Sequence, residues 1–118
     1  MAEILIVDDE ESIGDALKQV FEYEGHHVRV ARNGPDALAS VENAPPDVTF
    51  LDVKMPGMDG LEVLERIRSD DAQALVIMIS GHGTIDTAVE ATRKGAYDFL
   101  EKPLTPEKLL VVPNQPSL

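Results

Sequence analysis

The chain carries no cysteine, which excludes disulfides, thiolate metal sites and thiol chemistry and fits a reducing compartment. It also lacks any apolar run approaching the roughly 18 residues that a membrane span requires. Met1-Ala2-Glu3 leads directly into a strand-like run, so no signal peptide is expected and the cytoplasm is the expected location. Basic residues are scarce, ten Lys and Arg against 22 Asp and Glu, for a formal net charge of −12. Those ten are scattered. Phosphate backbones are bound by clustered Lys and Arg, so no direct nucleic-acid binding is expected of this chain. Acidity alone mostly confers solubility; it acquires chemical meaning where the acids gather.

What is present is one domain's worth of alternating patterns. At 118 residues with 43% hydrophobic content, a single core is expected. Glu3 to Val7 reads as a first strand. Ser12 is a plausible N-cap for a helix in which Ile13, Ala16, Leu17, Val20 and Phe21 face inward up to Tyr23, and Gly25 closes it. His27 to Ala31 is a short second strand. Asn33-Gly34-Pro35 opens a helix with Pro35 at its first position, Ala37, Leu38 and Val41 inward, and Pro45-Pro46 at its end. Val48 to Leu51 is a third strand, and Gly60 to Arg68 a third helix with Leu61, Leu64 and Ile67 inward. Leu75 to Ile79, apolar throughout, suits a central strand covered on both faces. After the connector Ser80 to Thr84 come a helix from Ile85 to Lys94 ended by Gly95, a short strand from Asp98 to Leu100, and a last helix opened by Thr105-Pro106.

Five strand-helix pairs in strict alternation predict an α/β fold with a parallel, doubly wound sheet. The last helix has only Pro106 to about Val112 before Pro113-Asn114-Gln115-Pro116 stops it, so it is expected to be short. The expected division is a domain over 1–112 and an irregular tail over 113–118.

The strands of such a sheet all end on one edge, where open α/β sheets bind ligands. Ile4 to Val7 ends in Asp8-Asp9, Val48 to Leu51 in Asp52, Leu75 to Ile79 in Ser80, and Asp98 to Leu100 stands just before Glu101-Lys102-Pro103. The topology therefore collects three carboxylates, a hydroxyl and an ammonium in one crevice. Taken singly, Asp52 reads as a loop aspartate that caps the following helix, and Asp8-Asp9 as a solvated turn at a helix N-terminus. His26 and His27 are adjacent in an extended segment, so their side chains diverge and neither suits a metal.

The acidic pair Asp8-Asp9, Asp52 followed by Met55-Pro56-Gly57-Met58-Asp59-Gly60, Ser80 and Lys102-Pro103 resemble, in order and spacing, the receiver domain of two-component response regulators. The resemblance covers Ile4 to Lys108. The segment from Ile79-Ser80-Gly81-His82-Gly83-Thr84 to Lys94-Gly95-Ala96-Tyr97-Asp98-Phe99-Leu100-Glu101-Lys102-Pro103 is most similar to receivers of sigma-54-dependent activators of the NtrC type. It implies a flavodoxin-like (βα)5 sheet in strand order 2-1-3-4-5.

The same resemblance implies that Asp52 is a phosphoacceptor for a sensor histidine kinase's phosphohistidine. Mg²⁺ would be held by Asp9, Asp52 and the backbone carbonyl of Lys54, with Asp8 acting mainly through a metal-bound water. Lys102 would supply a cation to the phosphoryl oxygens, pair with Asp52 in their absence, and be aimed by a cis Lys102-Pro103 bond. Ser80 and Phe99 would form the switch, and Lys54 and His82 would tune phosphate lifetime. Implied partners are the kinase, a second copy through the face of the fourth helix, fifth strand and fifth helix or a swapped variant, and downstream ATPase and DNA-binding domains. No membrane contact is implied.

Rival readings are weaker on particular residues. An Asp-nucleophile phosphatase needs an acid two residues after the nucleophile, and Lys54 stands there. A flavin domain needs a small-residue phosphate loop where Asp8-Asp9-Glu10-Glu11 would repel phosphate. Asp52 to Gly60 lacks the spacing and terminal Glu of a calcium-binding EF-hand. A phosphorylation-independent interaction module would not require all five crevice positions to be filled by competent residue types.

Overall fold

A computed structural model describes residues 1–81, 84–102 and 104–105. His82, the Lys102-Pro103 bond, the expected short last helix and the tail over 113–118 lie outside them. Within the described residues the order is β1 (Glu3–Val7), α1 (Glu11–Tyr23), β2 (His27–Ala31), α2 (Gly34–Asn43), β3 (Val48–Asp52), α3 (Gly60–Asp70), β4 (Val76–Ser80), α4 (Ile85–Arg93) and β5 (Asp98–Glu101). The strands form one parallel sheet in the order β2-β1-β3-β4-β5.

Side chains that alternate along each strand divide the core in two. Ile4, Ile6, Phe50, Ile77 and Ile79 join Leu17 and Phe21 of α1 on one face, where the Phe21 and Phe50 rings lie 5.0 Å apart. Leu5, Val7, Leu51, Val76 and Met78 face the other way, against Ala37 of α2, Val63, Leu64 and Ile67 of α3, and Ala91 of α4. A strand covered on both faces has no polar side to offer water, and β3 and β4 are buried at every position.

The helix starts follow capping chemistry in three of four cases. Asn33 accepts from the Asp36 amide, Asp59 from the Glu62 amide and Thr84 from the Thr87 amide, each satisfying one donor that the first turn leaves orphaned. At α1 the expectation was off: Ser12 lies inside the helix, which begins at Glu11, and Glu10 occupies the cap position without a side-chain bond. Pro35 falls at the second helical position, because Gly34 is the first.

Packing also revises some inward faces. Ala16 is exposed while Gly14 is buried, its Cα close enough to β2 that a methyl there would sit 3.2 Å from Val30. In α3, Val63 is fully buried and Leu61 only partly. Gly25 and Gly95 adopt the positive φ of helix-ending residues, as expected of glycines in those places.

Candidate functional site

The order β2-β1-β3 means that the chain reverses direction of travel across the sheet at β1, and the crevice between the carboxyl ends of β1 and β3 is where such sheets receive ligands. Asp8 and Asp9 follow β1 there, and Asp52 is the last residue of β3. Their carboxylates each offer an oxygen, and those oxygens all lie within 4.8 Å of one another. Ser80 ends β4 and is buried; its register partner on β5 is Glu101, immediately before Lys102. The Lys102 amide donates to the Ser80 carbonyl at 2.9 Å, which extends the β4-β5 ladder by one bond and aims the lysine toward the carboxylates. Its stem passes under Gly81, where an added methyl would lie 3.8 Å from Lys102 Cδ.

Asp8 is almost wholly buried yet fully employed. One oxygen accepts from the Glu10 amide at 2.9 Å and the other from Lys102 Nζ at 3.3 Å. The ammonium lies 3.7 Å from Asp52 Oδ1. Lys102 was expected to pair with Asp52; it does so at ion-pair distance and also donates a hydrogen bond to Asp8. Asp9 is exposed at the mouth.

Burial and then the Asp8 charge push the Asp52 carboxyl up to about 6, with Asp9 adding to the rise. Lys102 and the Val53 amide oppose this and do not cancel it. Loss of hydration and like-charge repulsion disfavour the ionised form. One ammonium among three carboxylates leaves the crevice short of positive charge. A hard divalent cation matches that deficit, since clustered carboxylate oxygens are its preferred donors and its charge would hold Asp52 ionised. The carboxylates gathered here therefore fit a hard divalent cation such as Mg²⁺.

The remaining predicted positions are less concentrated. Lys54 is exposed two residues beyond Asp52. Phe99, paired in register with Met78, is half-buried and packs on the core beneath α2, α3 and α4. His82 lies outside the described residues. His26 and His27 are used locally: His26 Nδ1 accepts from the Ala2 amide at 2.9 Å, and His27 Nδ1 lies 2.6 Å from Glu3 Oε2. Gly60, expected to start a helix and to belong to the motif after Asp52, also donates its amide at 2.7 Å to the carbonyl of Val53, the residue after Asp52. No local pattern signals that contact, because it joins a helix start to a strand end across a loop.

Comparison with known proteins agrees with the geometry. Residues 4–112 match the family described as the response regulator receiver domain. The chain is 45% identical over 112 residues to the nitrogen assimilation regulatory protein NtrX of Azorhizobium caulinodans, covering 93% of this chain and 25% of that protein. It is 38% identical over 109 residues to the regulatory protein AtoC of Escherichia coli, covering 92% and 24%. Among solved structures, the receiver domain of NtrX from Brucella abortus superposes with a TM-score of 0.88 at 44% identity, covering 93% of each chain. The chain thus spans about a quarter of the length of these curated relatives.

Proposed function

The chain belongs to the response regulator receiver domain family, and from that premise we propose that Asp52 accepts a phosphoryl group from the phosphohistidine of a sensor kinase. The observation that carries this reading is the setting of Asp52: a buried carboxylate at a strand end, with Asp8 and Asp9 beside it and the Lys102 ammonium at 3.7 Å. In the transfer, an Asp52 carboxylate oxygen forms a bond to phosphorus as the donor's N–P bond breaks, and the electron pair leaves on the imidazole nitrogen.

Asp9, Asp52 and the Lys54 backbone carbonyl would hold Mg²⁺, with Asp8 acting through a water. When bound, the ion supplies charge neutralisation for the phosphoryl oxygens. Lys102 offers its compact ammonium to the same oxygens. Asp8 holds that ammonium in place and ties the end of β1 to the start of α1 through the Glu10 amide. Ser80 donates its hydroxyl to a phosphoryl oxygen and draws the following loop inward. Phe99, only half-buried on the core, moves with it, and phosphate thereby favours a conformation already accessible to the chain. Lys54 and His82, two residues past Asp52 and Ser80 in the sequence, tune the lifetime of the acyl phosphate.

In the whole protein the receiver unit spans residues 1–112 and works in the cytoplasm. Its output surface is the face of α4, β5 and a following helix, through which two copies pair or swap. That pairing controls a downstream ATPase domain and a DNA-binding domain. The unit catalyses only its own phosphotransfer and slow dephosphorylation.

The test is intact mass after incubation with phosphoramidate and Mg²⁺, with and without EDTA. The expected outcome is a gain of about 80 Da, one phosphoryl group on a carboxylate, that requires Mg²⁺ and is lost in Asp52→Asn. No gain under any condition would replace this reading with that of a phosphorylation-independent interaction module.

A further inference from the structure

Gly60 occupies the first position of α3, and no positive φ calls for a glycine there, since among the described residues only Gly25, Gly57 and Gly95 have one. Space is what excludes a side chain. A Cβ at residue 60 would lie 1.9 Å from the carbonyl oxygen of Asp52, 2.8 Å from its carbonyl carbon and 2.9 Å from Val53 Cα. All three obstacles are backbone, which cannot swing aside as a side chain can.

The same residue is also bonded to what it presses on, because its amide donates to the Val53 carbonyl at 2.7 Å. Behind it the helix start is pinned by Asp59, whose carboxylate accepts from the Glu62 amide at 3.0 Å. The helix is held to the core by Val63, Leu64 and Ile67. The segment that follows Asp52 is thus clamped by the first turn of a rigid element rather than left as a free loop.

We infer that Gly60 is a positioning residue for the acceptor: its missing side chain lets α3 seat directly on the Asp52–Val53 peptide and fix where the Asp52 carboxylate stands. The inference rests on the phosphoacceptor reading above and adds the element that sets the acceptor's geometry. A methyl at 60 must move either the helix or the peptide by about 1 Å or more to reach ordinary contact distance, and displacements of that size cost on the order of 10²-fold in rate. Metal affinity should fall with it by roughly tenfold, the lower end of what disturbed supporting contacts cost.

Gly25 is the control. It is a helix-ending glycine whose φ of 90° disfavours a side chain, and nothing lies within 4 Å of an added methyl. Gly25→Ala, just before the amino end of β2 and remote from the crevice, should lose some stability through backbone strain alone and keep the parental rate.

The experiment compares the parent, Gly60→Ala, Gly25→Ala and Asp59→Ala. It measures phosphorylation rate at saturating phosphoramidate and Mg²⁺ by intact mass, Mg²⁺ affinity by calorimetry, and folded fraction by circular dichroism. The expected pattern is a folded Gly60→Ala that phosphorylates about 10²-fold more slowly and binds Mg²⁺ more weakly, with Gly25→Ala at the parental rate. Asp59→Ala, which only loosens the helix start, should be slowed several-fold. A folded Gly60→Ala with the parental rate and affinity overturns the inference. If Gly60→Ala does not fold, a parental rate and affinity in Asp59→Ala overturns it instead. A parent that takes up no phosphate defeats the phosphoacceptor reading, and the Mg²⁺ affinities then decide the positioning role by themselves.

Discussion

The Lys102 ammonium lies nearer to Asp8 than to Asp52, hydrogen-bonded to the first at 3.3 Å and 3.7 Å from the second. The two neighbours act on Asp52 in opposite senses: the Asp8 charge raises its pKa and Lys102 lowers it. Asp8→Asn should therefore bring the Asp52 carboxyl down from about 6, both by removing a like charge and by releasing Lys102 toward Asp52. Lys102→Ala should move it further up. Carbon-detected NMR titration of the Asp52 carboxyl in EDTA checks this, and shifts of the same sign in both variants would refute the assignment.

That pKa has a consequence for stability. The folded value of about 6 lies above the ordinary 3.8, so the protonated form is the one that folding favours. The stabilising effect of the neutral acid is complete below the ordinary value and disappears as pH rises through the folded one. Asp52→Asn, which keeps the shape without the charge, should then be more stable than the parent by about 1–2 kcal/mol near pH 8 and equal to it near pH 4. The full shift would correspond to about 3 kcal/mol at 1.36 kcal/mol per unit, lessened by water at the open mouth of the crevice. Urea unfolding in EDTA at the two pH values measures the difference, and an asparagine variant that is less stable near pH 8 would contradict it.

A cation that binds only the folded crevice should reverse this penalty. Because Asp8, Asp9 and Asp52 are gathered only by the pairing of β1 with β3, the unfolded chain offers no comparable site. Mg²⁺ at about one hundred times its dissociation constant should add about 2.7 kcal/mol of stability. The gain should vanish in Asp52→Asn combined with Asp9→Asn. Thermal unfolding across a Mg²⁺ series, repeated with EDTA, gives the result directly, and an unchanged midpoint would count against a metal role for these residues.

The crevice was legible from sequence because its residues terminate apolar runs, and a parallel sheet places such ends on one edge. Asp8, Asp52 and Ser80 stand where that rule puts them. The strand order followed from the resemblance and matches the observed sheet. Contacts made by backbone or by small residues were not legible. Gly14 carries no weight in an apolar pattern, yet it lies against Val30, while Ala16, expected to face inward, is exposed. Ser12 has the right chemistry for a cap, but the Asp8 carboxylate already receives the Glu10 amide and the helix starts one residue before Ser12. That Lys102 pairs with Asp8 as well as with Asp52 depends on distances that no spacing rule resolves.

The end of α4 offers a prediction away from the site. Gly95 follows the cap residue Lys94 with φ near 103°, a backbone region that residues with side chains seldom adopt. A methyl there would also meet Arg68, 2.6 Å from Nε and 3.2 Å from Cγ. Arg68 is not free to leave without loss, since its Nη1 donates to the Ala74 carbonyl at 2.8 Å and so ties α3 to the segment entering β4. Gly95→Ala therefore carries two costs, backbone strain of about 1–2 kcal/mol and displacement of an anchored guanidinium. Only the second can be relieved by a second mutation. In an Arg68→Ala background the same glycine substitution should cost less, by about 0.5–1 kcal/mol, as expected for residues in direct contact. Urea midpoints for the four members of the cycle supply the coupling. Strict additivity would mean that Arg68 moves aside without cost, leaving backbone strain as the whole reason for a glycine at position 95.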